Sequence, residues 1–285
     1  MKRLMKALSV MLALALLLAG CGGSGTSSSS AAASGGDSSA ASGTDTLQAI
    51  KDRGVLRVGV KDDVPGFGLY NTETQAYEGL EIELAKMIAG DLLGDESKVE
   101  FTAVTAATRG QLVDSGDIDM AISTFTITEE RKQSYNFSTA YYTDAVTVMV
   151  KKDAGINTLA DLDGKTVGVA TSSTSSTALT AAVQAEKPDA QVEYKEFASY
   201  PEIKAALDSG RIDAFCVDGS ILAGYMDDTV MLLADRFSPQ EYGICTKKSN
   251  TDLAEYVDGL ITGWLEDGTI DGLIEELGLV ASFEG

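Results

Sequence analysis

Short apolar runs alternate with helix-spaced apolar patterns from residue 55 to residue 277, and this alternation sets what the chain can fold into. Residues 55–60 (VLRVGV), 98–104, 118–123, 145–151 (AVTVMVK), 166–170 (TVGVA), 192–197, 212–217 (IDAFCV), 230–233 and 242–246 read as strands. Between them, residues 78–92 carry Leu80, Leu84, Met87 and Ile88 at helical spacing. Residues 110–115, 159–162, 174–185, 200–209, 219–226, 252–267 and 269–277 also read as helices. Strands alternating with helices predict an α/β fold with mostly parallel sheets. There is no repeat at a solenoid period. A weaker echo exists: segments 111–120 (QLVDSGDIDM) and 206–214 (ALDSGRIDA) share D-S-G-x-I-D, each as helix, glycine turn and buried strand. The echo predicts two similar α/β lobes.

The N-terminus is of another kind. Lys2, Arg3 and Lys6 precede an apolar run over residues 7–19, which is too short for a stable membrane span. The run ends in Leu18-Ala19-Gly20-Cys21, which resembles the lipobox of bacterial lipoproteins, where the cysteine becomes the lipidated first residue. Residues 22–44 are almost entirely Gly, Ser, Ala and Thr and cannot form a core. The expected layout is a leader at 1–20, the lipidated cysteine and a tether at 21–45, and a globular part beyond.

Composition excludes several functions. The chain has 22 Lys and Arg against 43 Asp and Glu, a net charge of −21. Such a surface repels nucleic acid and anionic headgroups. No histidine is present, which removes the commonest general base and zinc ligand. Gly164-Lys165-Thr166 lacks the upstream glycine of a phosphate loop, since Leu159 stands there, and a strand rather than a helix follows. Residues 114–119 are acidic but lack the spaced ligands of a calcium loop. There is no nucleophile elbow and no Cys/His pairing. No metal or cofactor is expected.

Two places carry binding groups. Residues 121–131 read AISTFTITEER: a strand exit, the hydroxyls of Ser123, Thr124, Thr126 and Thr128, then a helix start with Thr128 as N-cap and Arg131 beside it. This suits a carboxylate or phosphate, and it equally suits a plain capped helix with a surface arginine. Asp218 follows the apolar strand at its carboxyl end, where open α/β sheets bind ligands; it could instead cap the next helix.

The stretches GVLRVGVKDDVPGFG (54–68), GLEIELAK (79–86), TRGQL (108–112), AISTFTITEER, NFSTAYY (136–142), LADLDGKTVGV (159–169), YPEIKAALDSGRIDAFCVD (200–218) and PQEYGICTKK (239–248) together resemble one family. Over residues 47–279 the chain is similar to the polar amino-acid branch (family 3) of bacterial ABC-transporter substrate-binding proteins, especially its aspartate/glutamate-binding members. The resemblance implies a type II periplasmic-binding-protein-like α/β fold. Two lobes, 46–141 plus 241–285 and 142–240, would be joined by two hinge strands. Cys216 and Cys245 would then lie in different lobes. A disulfide needs Cα atoms within about 7 Å, so two buried free thiols are expected.

The resemblance also implies residue roles. The ligand α-carboxylate would meet Thr126, Arg131 and a hydroxyl of the second lobe, Ser173 or Thr174. The α-ammonium would meet Asp218. Thr124 and Tyr242 complete the ligand set, and Lys61 with Arg109 would hold a side-chain carboxylate. Three cations against Asp218 leave a surplus of positive charge that an acidic ligand would reduce. Family members often carry glycine after the TVGV strand, where this chain has residues 171–176 (TSSTSS). Many have an aromatic near Val64 to cover the ligand; here Phe67 could do so or could pack in the core.

The expected function is therefore capture of glutamate or aspartate outside the cytoplasm by a lipid-anchored monomer that delivers it to an ABC permease and its ATPase. The alternatives are a glutamine or cystine binder, or a small dehydratase-type enzyme on the same fold using Glu81, Glu83 or Asp62. A membrane-sensor role is not expected, since no second transmembrane run occurs.

Overall fold

The computed structural model describes residues 45–279; Cys21 and its flanks lie outside them. The first run of elements is α1 (Thr46–Arg53), β1 (Leu56–Val60), β2 (Asp63–Val64), β3 (Gly68–Asn71), β4 (Ala76–Glu78), α2 (Leu80–Leu93), β5 (Val99–Ala103), α3 (Arg109–Ser115), β6 (Met120–Ile122), α4 (Glu129–Ser134) and β7 (Tyr135–Phe137). The second is β8 (Tyr142–Lys151), a 3-10 turn (Leu159–Leu162), β9 (Thr166–Ala170), α5 (Ser175–Glu186), β10 (Glu193–Phe197), α6 (Tyr200–Asp208), β11 (Ala214–Asp218), α7 (Gly219–Ala223), β12 (Val230–Leu232) and β13 (Phe237–Tyr242). The chain closes with β14 (Cys245–Lys247), α8 (Thr251–Glu266) and α9 (Thr269–Glu276).

Two main sheets result. The first has the order β5-β1-β6-β14-β7, and the second β10-β9-β11-β8-β12 with β13 also on β8. The chain passes from the first to the second between Phe137 and Tyr142, and returns between Tyr242 and Cys245. An antiparallel bridge between Thr126 and Tyr242 ties the return crossing to the first lobe. In the second lobe Val148, Val150, Val167, Val169, Leu179 and Val183 are buried together. Each such side chain contributes roughly 1.5–3 kcal/mol relative to exposure, set against the entropy of ordering the chain. Cys216 and Cys245 are both buried free thiols, one in each main sheet.

The sequence echo has a structural cause. In the first lobe Asp119 accepts the Arg57 backbone N–H at 2.8 Å, and in the second Asp213 accepts that of Thr166 at 2.8 Å. Each acid thus satisfies an N–H at the start of the neighbouring parallel strand. The preceding isoleucine is repeated too. Ile118 and Ile212 lie where a Cβ on Gly59 or on Gly168 would come within 2.5 Å of them, so each lobe pairs a strand glycine with this isoleucine.

Three differences from the sequence reading matter for the site. A small three-stranded sheet, β2-β3-β4, grows out of the first lobe where no strand was predicted. The predicted strand 242–246 is broken at residues 243–244, where the chain changes lobes. The helix predicted over 219–226 ends at Ala223. The glycine before α2 is required: Gly79 has φ +120°, and a Cβ there would sit 2.4 Å from the Phe67 carbonyl oxygen.

Candidate ligand-binding site

Beyond β6 the chain turns sharply through Ser123 and Thr124, and Thr124 takes φ +47°, a conformation that costs a non-glycine residue about 1 kcal/mol or more. Two long side chains hold it there. Glu81, in the first turn of α2, accepts the Thr124 N–H at 2.5 Å and the Tyr141 hydroxyl at 2.5 Å. Arg109, at the start of α3, donates to the Ser123 carbonyl at 2.5 Å and the Thr124 carbonyl at 3.0 Å. Its guanidinium lies 3.8 Å from the centre of the Phe125 ring, and that of Arg131 lies 4.8 Å from the same ring. Both contacts are cation–π pairs.

Thr128 caps α4 as read from sequence, accepting the Arg131 N–H at 3.1 Å. The Arg131 side chain donates to the Thr126 carbonyl at 2.7 Å and, across the cleft, to the Ser172 carbonyl at 3.1 Å. Burial lowers the Arg131 pKa to about 10, and the charge of Arg109 adds to the effect; it remains a cation at neutral pH. Ser172 has φ +64°, a conformation that glycine adopts without strain. Ser173 accepts the Ser175 N–H at 3.4 Å. Thr126 and Thr174, from opposite lobes, donate their hydroxyls to one Gln240 oxygen at 2.9 and 2.8 Å. Thr126, Arg131, Ser173, Thr174 and Gln240 border a groove of about 890 Å³.

Asp218 ends β11 and makes no helix-capping bond with its side chain, so capping does not account for it. Its partner is the Tyr242 hydroxyl, which donates to it at 2.5 Å and lies 3.3 Å from Asp144. Burial lifts the Asp218 carboxyl to about 7. Asp144 adds to the rise, while Tyr242, Arg109 and Arg131 oppose it. Burial likewise lifts Glu81 to about 7, against hydrogen bonds from Tyr141 and Thr124 and the charges of Arg109 and Lys61.

Lys61 is buried and pairs with Asp63 at 2.9 Å. It also donates to the Val104 carbonyl at 3.3 Å and sits 4.7 Å from the Tyr200 ring centre. The cation count that favours an acidic ligand therefore omits two carboxylates, Asp63 on Lys61 and Glu81 beside Arg109. Asp63 belongs to the small sheet that the sequence reading lacked. Glu81, a candidate acid for an enzyme by its sequence, supports the Thr124 turn. Phe67 is fully buried and packs edge-on against Tyr142 and Tyr242, with ring centres 5.0 and 6.0 Å away. Of the nine expected ligand residues, Lys61, Arg109, Thr124, Asp218 and Tyr242 lie buried, and the other four border the groove. Gln240, Tyr200 and Asp63 were missed, because nothing local in the sequence marks contacts across the cleft.

Residues 56–278 match the model of the bacterial extracellular solute-binding proteins, family 3, and the chain belongs to that family. It is 37% identical to the ABC transporter glutamine-binding protein of Bacillus subtilis (strain 168) over 279 residues, covering 97% of each chain. It is 42% identical to the glutamine-binding protein of Geobacillus stearothermophilus over 74% of this chain and 79% of that one. Among solved structures, the solute receptor for L-cysteine of Neisseria gonorrhoeae superposes with a TM-score of 0.72 at 30% identity, covering 81% of this chain and 92% of that one. The fold is the two-lobed type II periplasmic-binding-protein fold, and these relatives are solute-binding proteins, not enzymes. No helix among the described residues is long and apolar enough to cross a membrane.

Proposed function

We propose that the protein captures a free polar amino acid with a neutral side chain, glutamine first among them, outside the cytoplasm and delivers it to an ABC importer. One observation carries this reading. A guanidinium of the first lobe, Arg131, and a carboxylate of the second, Asp218, stand close enough to perturb each other's pKa, and Asp218 is almost wholly withdrawn from solvent. A zwitterion supplies the counterion to both: its α-carboxylate pairs with Arg131 and the hydroxyls of Thr126 and Thr174, and its ammonium with Asp218. Lys61 and Arg109 already have carboxylates beside them, so a side-chain amide adds no further charge there, whereas an acid adds one. The two glutamine-binding relatives support the same choice. A glutamate or aspartate ligand is the second reading, favoured by the burial of two cations, Lys61 and Arg109, in the first lobe.

The test is a thermal-shift panel on residues 45–285. A ligand that binds only the folded state raises the melting temperature in proportion to RT ln(1 + [L]/Kd). Free glutamine should raise it, while glutamine blocked at either the α-carboxyl or the α-amino group should not. Equal shifts from free and blocked forms would remove the zwitterion reading.

The lobe limits 46–141 plus 241–285 and 142–240, the monomeric state and the lipid anchor belong to the same proposal. Cys21→Ser should leave the leader uncleaved or release the chain from membranes. An unchanged mature mass and membrane fraction would show that Cys21 is not the anchor.

A further inference from the structure

The lobes also meet at residues outside the proposed ligand contacts. Asp63 of β2 accepts the backbone N–H of Tyr200, the first residue of α6 in the other lobe, at 3.2 Å. An acid is favourable at that helix end. The Tyr225 hydroxyl donates to the Asp63 carbonyl. Beside them the Pro65 ring lies against Gly224, so tightly that a Cβ on Gly224 would come within 2.8 Å of Cγ and 2.9 Å of Cδ. Gly224 needs no glycine conformation of its own, with φ −69° and ψ −12°. Its missing side chain therefore answers to the opposite lobe, not to its own backbone.

We infer that Asp63, Pro65 and Gly224 form a closure seam: these positioning residues set ligand affinity by deciding how fully the lobes can meet, without touching the ligand. The inference rests on the proposed capture of an amino acid between the lobes. Closure and binding are then linked, because a ligand held by both lobes binds the closed form better, and whatever disfavours closure weakens affinity. A methyl on Gly224 is tolerated while the lobes are apart. It strikes a rigid ring when they meet.

The experiment compares the full chain with Gly224→Ala and with the double variant Pro65→Ala/Gly224→Ala. It reads glutamine affinity by calorimetry, the unliganded melting temperature, and the radius of gyration by solution scattering. Gly224→Ala should bind about 5- to 150-fold more weakly, the range typical of overpacking at a tight contact. The unliganded melting temperature should not change, and the radius at saturating glutamine should be larger than in the wild type. Removing the ring in the double variant should recover most of the lost affinity. A Gly224→Ala affinity within threefold of wild type, or no recovery in the double variant, overturns the seam. If the wild type binds no amino acid, the proposed function fails and the seam that rests on it falls with it; a wild type that binds while Gly224→Ala binds equally well overturns the seam alone.

Discussion

Arg131→Ala is expected to remove binding of every amino acid. The guanidinium is held between the Thr126 carbonyl of one lobe and the Ser172 carbonyl of the other, and burial has stripped it of much of its water. Losing one partner of a buried, hydrogen-bonded charge pair costs about 2–5 kcal/mol, or roughly thirty- to several-thousand-fold in affinity. Part of that loss arises because the ligand carboxylate would still be buried, with no cation to meet it. Calorimetry of the variant should show no heat at ligand concentrations that saturate the wild type. An affinity within threefold of wild type would mean that the carboxylate sits elsewhere.

Asp218→Asn should be nearly as damaging, and it carries a pH signature. The wild-type carboxyl titrates near 7 when folded, against about 3.9 in an unfolded chain. A raised acid binds its proton more tightly in the fold. Its contribution to stability is therefore full below pH ~4 and is lost as pH rises through about 7. A bound ammonium needs the ionised form, so binding should expel that proton. Between pH 6 and pH 8 the wild-type affinity should climb about tenfold, with heats that depend on buffer ionisation. Asp218→Asn should lose roughly thirty-fold or more in affinity and the pH slope with it. Its unliganded stability at pH 8 should not fall, because a costly buried charge has gone. A pH-independent wild-type affinity would contradict the assignment of the ammonium to Asp218.

Much of the architecture was legible from local pattern. The strand runs at 55–60, 145–151 and 212–217 became β1, β8 and β11 because buried strands need continuous apolar residues, and the D-S-G-x-I-D echo marked equivalent corners of the two lobes. What escaped was short or polar. β2, β3 and β4 have two, four and three residues, too few to show a period. β13 reads FSPQEY, and its proline and polar residues argue against a strand; it forms because β8 is long enough to pair with it, with an irregularity between Phe237 and Pro239.

The site divides in the same way. Arg131 and Asp218 could be named because each sits at a strand end or helix start, which has a local signature. The partners that change their meaning could not. Glu81 reaches Thr124 from 43 residues away and Gln240 reaches Thr126 from 114, and no spacing rule joins them. Asp63 lies two residues from Lys61, yet its place beside that ammonium depends on a hairpin that sequence does not announce. The choice between an acid and an amide as ligand turns on these unsignalled carboxylates.

That choice is open to one direct measurement: calorimetric titration of residues 45–285 with glutamine and with glutamate at the same pH and salt. The expected result is one site per chain, with glutamine bound at least tenfold more tightly, a difference of about 1.4 kcal/mol. Glutamate binding as tightly as glutamine, or neither giving heat, would contradict it.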